Sequence, residues 1–336
     1  MVLVTFDTTR YDHFGCTGDP EAHTPTVDGL AGHGTLFEHA YASVPLTLPS
    51  HTTIMTGLEP VARGVHENGR FRVPDALETL AERLRAAGWQ TGAFVSAFVL
   101  DRRFGLDRGF DTYSDETHRP GGALEGMHDR YAAAIASADA ALGRLLDGIA
   151  ALGRGRGTLV VFTADHGESL EEHGARTHGI LAYDSTLHVP IVLAGPGVPA
   201  GVRADTLARH IDVVPTVLAL LGLPTPGDLP GRDLLRARAD DGAVGYFECR
   251  GPNLDYGWAV IEGVRTLQWK YTARPEPAEL YDVLADPRET SNRADAEPPV
   301  RAEMVDRLAA FHLRHATATT ARHRVCATVT RPACAA

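Results

Sequence analysis

Apolar runs of four to six residues alternate with longer segments of helical period along the first two thirds of the chain. Val2-Leu3-Val4-Thr5-Phe6 and Thr158-Leu159-Val160-Val161-Phe162 are short, β-branched and continuous, as expected of strands buried on both faces. Gln90–Ser96 and Val189–Ala194 read the same way, the latter closing on a Gly-Pro-Gly turn. Between them, Leu77–Gly88 has helical spacing and a glycine stop, and Asp212–Gly222 is a second such segment. Tyr131–Leu146 carries Ile135, Ala138, Leu142 and Leu145 at three- and four-residue spacing, a stripe that should pack on the sheet. Such alternation predicts an α/β fold, a mostly parallel sheet sandwiched by helices, over residues 1–235. Beyond the loop Pro224–Asp233 the pattern changes. Tyr246–Glu248, Trp258–Ile261 and Thr266–Tyr271 read as short antiparallel strands, followed by a helix near 297–314. Residues 236–314 are therefore expected to form a small C-terminal α+β subdomain. The Ala- and Thr-rich stretch 315–336 shows no pattern and is expected to be a disordered tail.

Composition sets a wide frame. The 336 residues are 44% hydrophobic and 22% charged, which suits a globular protein with a large core. A net charge of −11 argues against coating nucleic acid. Cys16, Cys249, Cys326 and Cys334 follow neither a disulfide framework nor a metal spacing. No run of eighteen apolar residues marks a membrane segment. With the first strand starting at residue 2 there is no signal peptide, so the literal reading is cytoplasmic; a truncated start in an exported protein is the alternative.

Candidate chemistry gathers at the ends of the predicted strands, where open α/β sheets place their sites. The first run ends in Asp7, and the run at 158–162 leads into Asp165-His166-Gly167-Glu168. Two carboxylates and an imidazole suit one divalent metal, zinc or manganese by donor type, with calcium or magnesium as alternatives. A strand-end Asp-His could equally be a helix cap beside a solvent-facing histidine. Pro49 in Thr47-Leu48-Pro49-Ser50-His51 fits a first helical turn, placing Thr47 just before a helix N-terminus that favours an anion. Thr47 is then either an activated nucleophile and metal bridge or a plain N-cap. His210 is either a distant ligand or structural, and only one metal site is expected.

Asp7-Thr8-Thr9-Arg10, Asp12-His13-Phe14-Gly15-Cys16, Thr24-Pro25-Thr26-Val27-Asp28, Thr47–His51, Thr56-Gly57-Leu58-Glu59-Pro60 and Asp165–Glu168 occur in an order that resembles sulfatase-like members of the alkaline phosphatase superfamily. The resemblance covers roughly residues 1–312, including Glu279–Val283 and Asp286–Glu289. It implies an alkaline-phosphatase-like fold and ester hydrolysis with a metal held by Asp7, Asp165, His166 and Thr47. Members that use formylglycine carry cysteine or serine where this chain has Thr47, and arginine where it has His51. An unmodified threonine is instead similar to the phosphodiesterases, phosphonate monoester hydrolases and phosphoethanolamine transferases. The resemblance further implies catalytic and substrate-binding roles for Asn68, twenty-one residues after Thr47, and His178, twelve after His166, and a substrate-binding role for His51. Asn68 also reads as an Asn-Gly turn residue, and His173 either acts directly or only ties its loop. The function expected on these grounds is hydrolysis of small-molecule phosphate mono- or diesters through a phosphothreonine. The alternatives are sulfate-ester hydrolysis, phosphoryl or phosphoethanolamine transfer, and a non-catalytic binding protein. Survival of Asp7, Thr47, Asp165 and His166 together argues against the last.

Overall fold

The computed structural model describes residues 1–116, 127–239, 241–273 and 277–329. The strands are β1 (Val2–Phe6), β2 (Gly34–Tyr41), β3 (Gly92–Phe94), β4 (Thr112–Ser114), β5 (Val160–Ala164), β6 (Ile191–Ala194), β7 (Val202–Arg209), β8 (Gly245–Cys249), β9 (Ile261–Arg265), β10 (Trp269–Ala273) and β11 (Glu279–Asp282). The helices are α1 (Pro25–Gly32), α2 (Thr47–Thr56), α3 (Pro60–Arg63), α4 (Leu80–Ala86), α5 (Met127–Ala151), α6 (Asp184–Leu187), α7 (Val213–Leu220), α8 (Gly251–Tyr256) and α9 (Pro298–Val329).

The central sheet has the order β1-β5-β6-β2-β7. Four strands run one way, and β6 runs against both its neighbours, β5 and β2. The sheet is thus mostly parallel, as expected, with β6 alone reversed. The reason lies in the connection: residues 165–190 hold only turns and the short α6, with no helix crossing back over the sheet. A chain that stays at one end of a sheet can only re-enter it antiparallel. Alternate residues of β5 and β6 serve opposite faces. Val161 and Ile191 join Phe37, Ile54, Leu80, Val213 and Val217 on one side. Phe162 and Val192 join Phe6, Phe14, Val27, Ile135 and Leu142 on the other. Continuous apolar runs are what such double burial requires.

Helix α4 starts at a Thr79–Glu82 capping box, as its sequence allows. In α5, Ile135 and Leu142 are buried and Ala138 packs beside them, but Leu145 is 49% exposed, against expectation. The predicted strand at 90–96 forms only over β3, which pairs with β4 in a separate two-stranded sheet.

The second sheet is antiparallel, β11-β10-β9-β8, and α9 packs on it through Met304, Leu308 and Phe311. β9 lies three residues later than read from sequence, because residues 251–256 are taken up by α8. Thr266 and Trp269 close the hairpin turn that had been read as strand. The last helix, expected at 297–314, runs to Val329, into the stretch read as patternless; residues 330–336 lie outside the described residues. Among the described residues no helix is long and apolar enough to cross a membrane.

A buried ion cluster joins the two sheets. Lys270 Nζ lies 2.9 Å from Asp184 Oδ1 and 2.6 Å from Glu289 Oε1, and Arg265 also pairs with Asp184. Lys270 is fully buried. Lys270→Met should therefore strand two carboxylates and cost about 3–5 kcal/mol, read as a lower midpoint in denaturant melts. A loss below about 1 kcal/mol would show that Arg265 alone neutralises the cluster.

Candidate active site and metal centre

The parallel register of β1 on β5 pairs Phe6 with Ala164, so the next residues, Asp7 and Asp165, emerge side by side at one sheet end. Asp165 and His166 are fully buried, while Asp7 is exposed. Asp165 Oδ1 accepts backbone N–H groups of Thr8 and His166, each at 2.8 Å. Asp165 Oδ2 is buried without a hydrogen-bond partner. Burial pushes the Asp165 carboxyl above its ordinary pKa, against the pull of His166. His166 Nδ1 donates to the Gly167 carbonyl at 2.9 Å, which leaves Nε2 with its lone pair. Oδ2 and this Nε2 are 3.5 Å apart. Donor atoms of Asp7, Asp165 and His166 all lie within 4.8 Å of one another. An orphaned carboxylate oxygen, an imidazole lone pair and a second carboxylate in one spot fit a divalent cation. Among the described residues this is the one such cluster of three.

Local backbone is bent to build it. Thr8 has φ 56°, which costs a β-branched residue on the order of 1 kcal/mol. Its N–H holds Asp165, its hydroxyl donates to Asp7 Oδ1 at 2.8 Å, and its carbonyl accepts Tyr131 Oη. Gly167 has no room for a side chain: a Cβ there would meet the Ser185 carbonyl oxygen at 2.2 Å.

Thr47 is the first residue of α2 rather than the residue before it, and it is 6% exposed. Leu46 occupies the cap position, with no side-chain cap bond, so the N-cap alternative for Thr47 falls. Thr47 Oγ1 faces His166 Nε2 at 3.4 Å. Polar as it is, α2 tolerates burial because Ser50, Thr52 and Thr56 bond their hydroxyls to carbonyls four to six residues back.

Asn68 Oδ1 accepts the Leu48 N–H at 2.9 Å, which fixes the amide at the start of α2 and turns its NH₂ the other way. His178 lies against His166, ring centroids 4.4 Å apart, with Nδ1 about equally close to both oxygens of Glu168, at 3.2 and 3.1 Å. Burial pulls the His178 pKa down, but the Glu168 bond and charge outweigh it and the net shift is upward.

His51 is not placed to meet substrate. Its Nδ1 donates to the Thr47 carbonyl and its Nε2 bonds Thr5 Oγ1, both at 2.9 Å. Both ring nitrogens are engaged within the protein, so the substrate-binding role expected for His51 gives way to bracing Thr47 against β1. His173 stacks on Tyr183 at 3.6 Å and bonds the Arg288 carbonyl, tying its loop to the second sheet. His210, fully buried, bonds the Ala164 carbonyl at 2.9 Å, behind the cluster rather than in it. Sequence reading gave no role to Glu168, Thr5 or Arg10. Arg10 reaches Asp12, Glu172 and the Glu168 carbonyl and so fastens the loop bearing His178. Glu168 and Arg10 sit inside the quoted motifs; Thr5 had no signal, being one polar position within a strand.

Comparison with known proteins bears on the family of the chain. The family described as Sulfatase matches residues 1–118 and 102–223, and that described as N-sulphoglucosamine sulphohydrolase, C-terminal, matches residues 172–314. Arylsulfatase K of Bos taurus is 31% identical over 193 residues, 53% of this chain and 35% of that protein. The chain thus spans about a third of the length of this relative. An ulvan-active sulfatase of Formosa agariphila is 25% identical over 397 aligned positions, covering 87% of this chain and 76% of its own. In fold, the chain is similar to a 2-O GAG sulfatase (TM-score 0.78, 20% identity, 93% of this chain and 91% of that one). It is likewise similar to a phosphonate monoester hydrolase of Agrobacterium radiobacter (TM-score 0.77, 19% identity, 93% and 95%). With one family match extending over residues 1–223 and the second continuing to 314, the chain belongs to the sulfatase family.

Proposed function

We propose that this chain is a metal-dependent hydrolase of sulfate esters with Thr47 as nucleophile. The observation that carries the reading is Thr47 Oγ1 standing 3.4 Å from His166 Nε2, one of the three converging donors of Asp7, Asp165 and His166. Those three residues and Thr47 would hold a divalent cation, zinc or manganese by donor type, with calcium or magnesium as the alternatives. Bound there, it supplies positive charge to the oxygens of the reacting group and acidifies the threonine hydroxyl.

The protein's own residues do the rest. Thr47 Oγ1 attacks sulfur as the alkoxide, its proton given up to solvent beforehand, while the bond from sulfur to the leaving oxygen breaks. His178, whose pKa Glu168 draws upward, gives its proton to that oxygen. The Asn68 NH₂ steadies charge on a non-bridging oxygen. Water then attacks sulfur, His178 takes its proton, and sulfate leaves with Thr47 restored.

The phosphate reading drawn from the threonine fits the relatives less well, since those compared by sequence are sulfatases by name. One observation still favours it: Thr47 carries a single hydroxyl and cannot expel sulfate as a hydrated aldehyde can. Nitrophenyl sulfate, phosphate, phosphodiester and phosphonate, measured side by side on metal-loaded protein, decide between them. Sulfate is expected to lead phosphate in kcat/KM by at least about tenfold, some 1.4 kcal/mol in barrier. A hundredfold lead for any phosphorus ester would install the second reading.

A further inference from the structure

Four large apolar side chains stand exposed two residues after His178 and along α8 and the turn that ends it: Ile180 (37%), Leu254 (39%), Tyr256 (71%) and Trp258 (59%). Their placement follows from β8. Its last residue, Cys249, packs in one cluster with Ala164, the residue before Asp165. The chain then turns into α8 at Gly251, where a Cβ would touch the Gly179 carbonyl at 3.2 Å and the Glu67 side chain at 4.0 Å. Gly179 follows His178, and Glu67 precedes Asn68. Arg70 fastens the far half of α8, with bonds to Asp255 at 2.5 Å and to the Leu254 carbonyl at 3.0 Å. Helix α8 therefore forms a wall beside His178 and Asn68. Its six residues span about 9 Å at 1.5 Å per residue.

The outer end of that wall is rigid. Gly257, at φ 69°, donates to the Asn253 carbonyl, and Trp258 N–H returns to the Pro252 carbonyl. This double bond pattern is the usual lock on a helix C-terminus. The Asn253 amide also bonds the Trp258 carbonyl. Tyr256 and Trp258 are thereby held with ring centroids 5.6 Å apart, tilted by 43°. Two open aromatic faces, fixed in place beside a hydrolytic site, match a ligand whose rings have apolar faces and polar edges. Aromatic faces carry partial negative charge and attract the C–H groups of such a ring. A protein partner would need a wider apolar surface than two rings and two aliphatic side chains interrupted by Arg70 and Asp255.

We infer that Tyr256 and Trp258 form a stacking platform for a sugar ring of a sulfated oligosaccharide, next to the ring that carries the reacting sulfate. The inference rests on the sulfate-ester reading above and gives it a substrate class. It places specificity in the second sheet, while the reacting groups come from the first.

The test compares wild-type, metal-loaded protein with the Tyr256→Ala/Trp258→Ala double variant. Substrates are nitrophenyl sulfate and a panel of sulfated oligosaccharides of the glycosaminoglycan, ulvan and carrageenan types. The double variant is expected to lose at least tenfold more kcat/KM on the accepted oligosaccharide than on nitrophenyl sulfate. Equal losses on both, or an enzyme that cleaves nitrophenyl sulfate but no oligosaccharide, overturn the platform. So does a shift from dimer to monomer in the variant, which would make the patch an interface between copies. Calorimetric binding of the same oligosaccharides separates the two readings. Binding without turnover that the variant abolishes keeps the platform and sinks the sulfatase reading. Neither binding nor turnover sinks both.

Discussion

Thr47→Ala is expected to lower kcat on the preferred ester by roughly 10⁴-fold, because a covalent route is closed when its nucleophile is removed. Two structural facts make the test clean. Among the described residues the Thr47 hydroxyl makes no capping bond, and it faces His166 Nε2 at 3.4 Å. Alanine is also a better helix former than threonine, so α2 should persist. The melting midpoint should then stay near wild type while turnover collapses. Thr47→Ser should keep part of the rate, since it retains the hydroxyl at the same carbon. Near wild-type turnover by Thr47→Ala would reduce Thr47 to a residue of α2 and leave attack to water.

The second large effect is on metal. Asp165→Ala should cut the divalent ion from about one per chain to a trace, since one of the converging ligands is lost. Elemental analysis after dialysis measures it directly. Stability gives an independent readout. A ligand that binds only the folded state adds about 2.7 kcal/mol at a hundred times its dissociation constant. Wild-type protein should therefore melt higher with added zinc or manganese, and Asp165→Ala should not respond. The physical basis is the unpartnered Oδ2, on a carboxyl whose burial outweighs the pull of His166, His51 and the Thr8 N–H. Full occupancy in the variant would move the metal elsewhere.

Some of this was legible before any fold was known. Asp7 and Asp165-His166 each follow an apolar run directly, and a strand delivers its next residue to the sheet end whatever its neighbours do. The sulfatase-like order of motifs then located Thr47, Asn68 and His178, and the structure brings each to the start of α2 or beside His166. His51 shows the limit. Its position in the motif implied contact with substrate, but which way an imidazole faces depends on partners. The hydroxyl of Thr5 is 46 residues away, and no local pattern encodes that meeting.

By itself, then, the sequence determined the alternation of strands and helices, the two-sided burial of β5 and the residue types at the strand ends. All of these follow from side-chain period and backbone preference within a dozen residues. Only the tertiary structure decided that β6 runs backward, that β3 pairs with β4 outside the central sheet, and that Leu145 stays exposed. It alone joined Asp184, Arg265, Lys270 and Glu289 into one buried cluster, and set the start of α8 against Gly179 and Glu67. These outcomes turn on contacts between residues tens to more than a hundred positions apart. Their energies depend on which surfaces meet, a property of the folded chain and of no single segment within it.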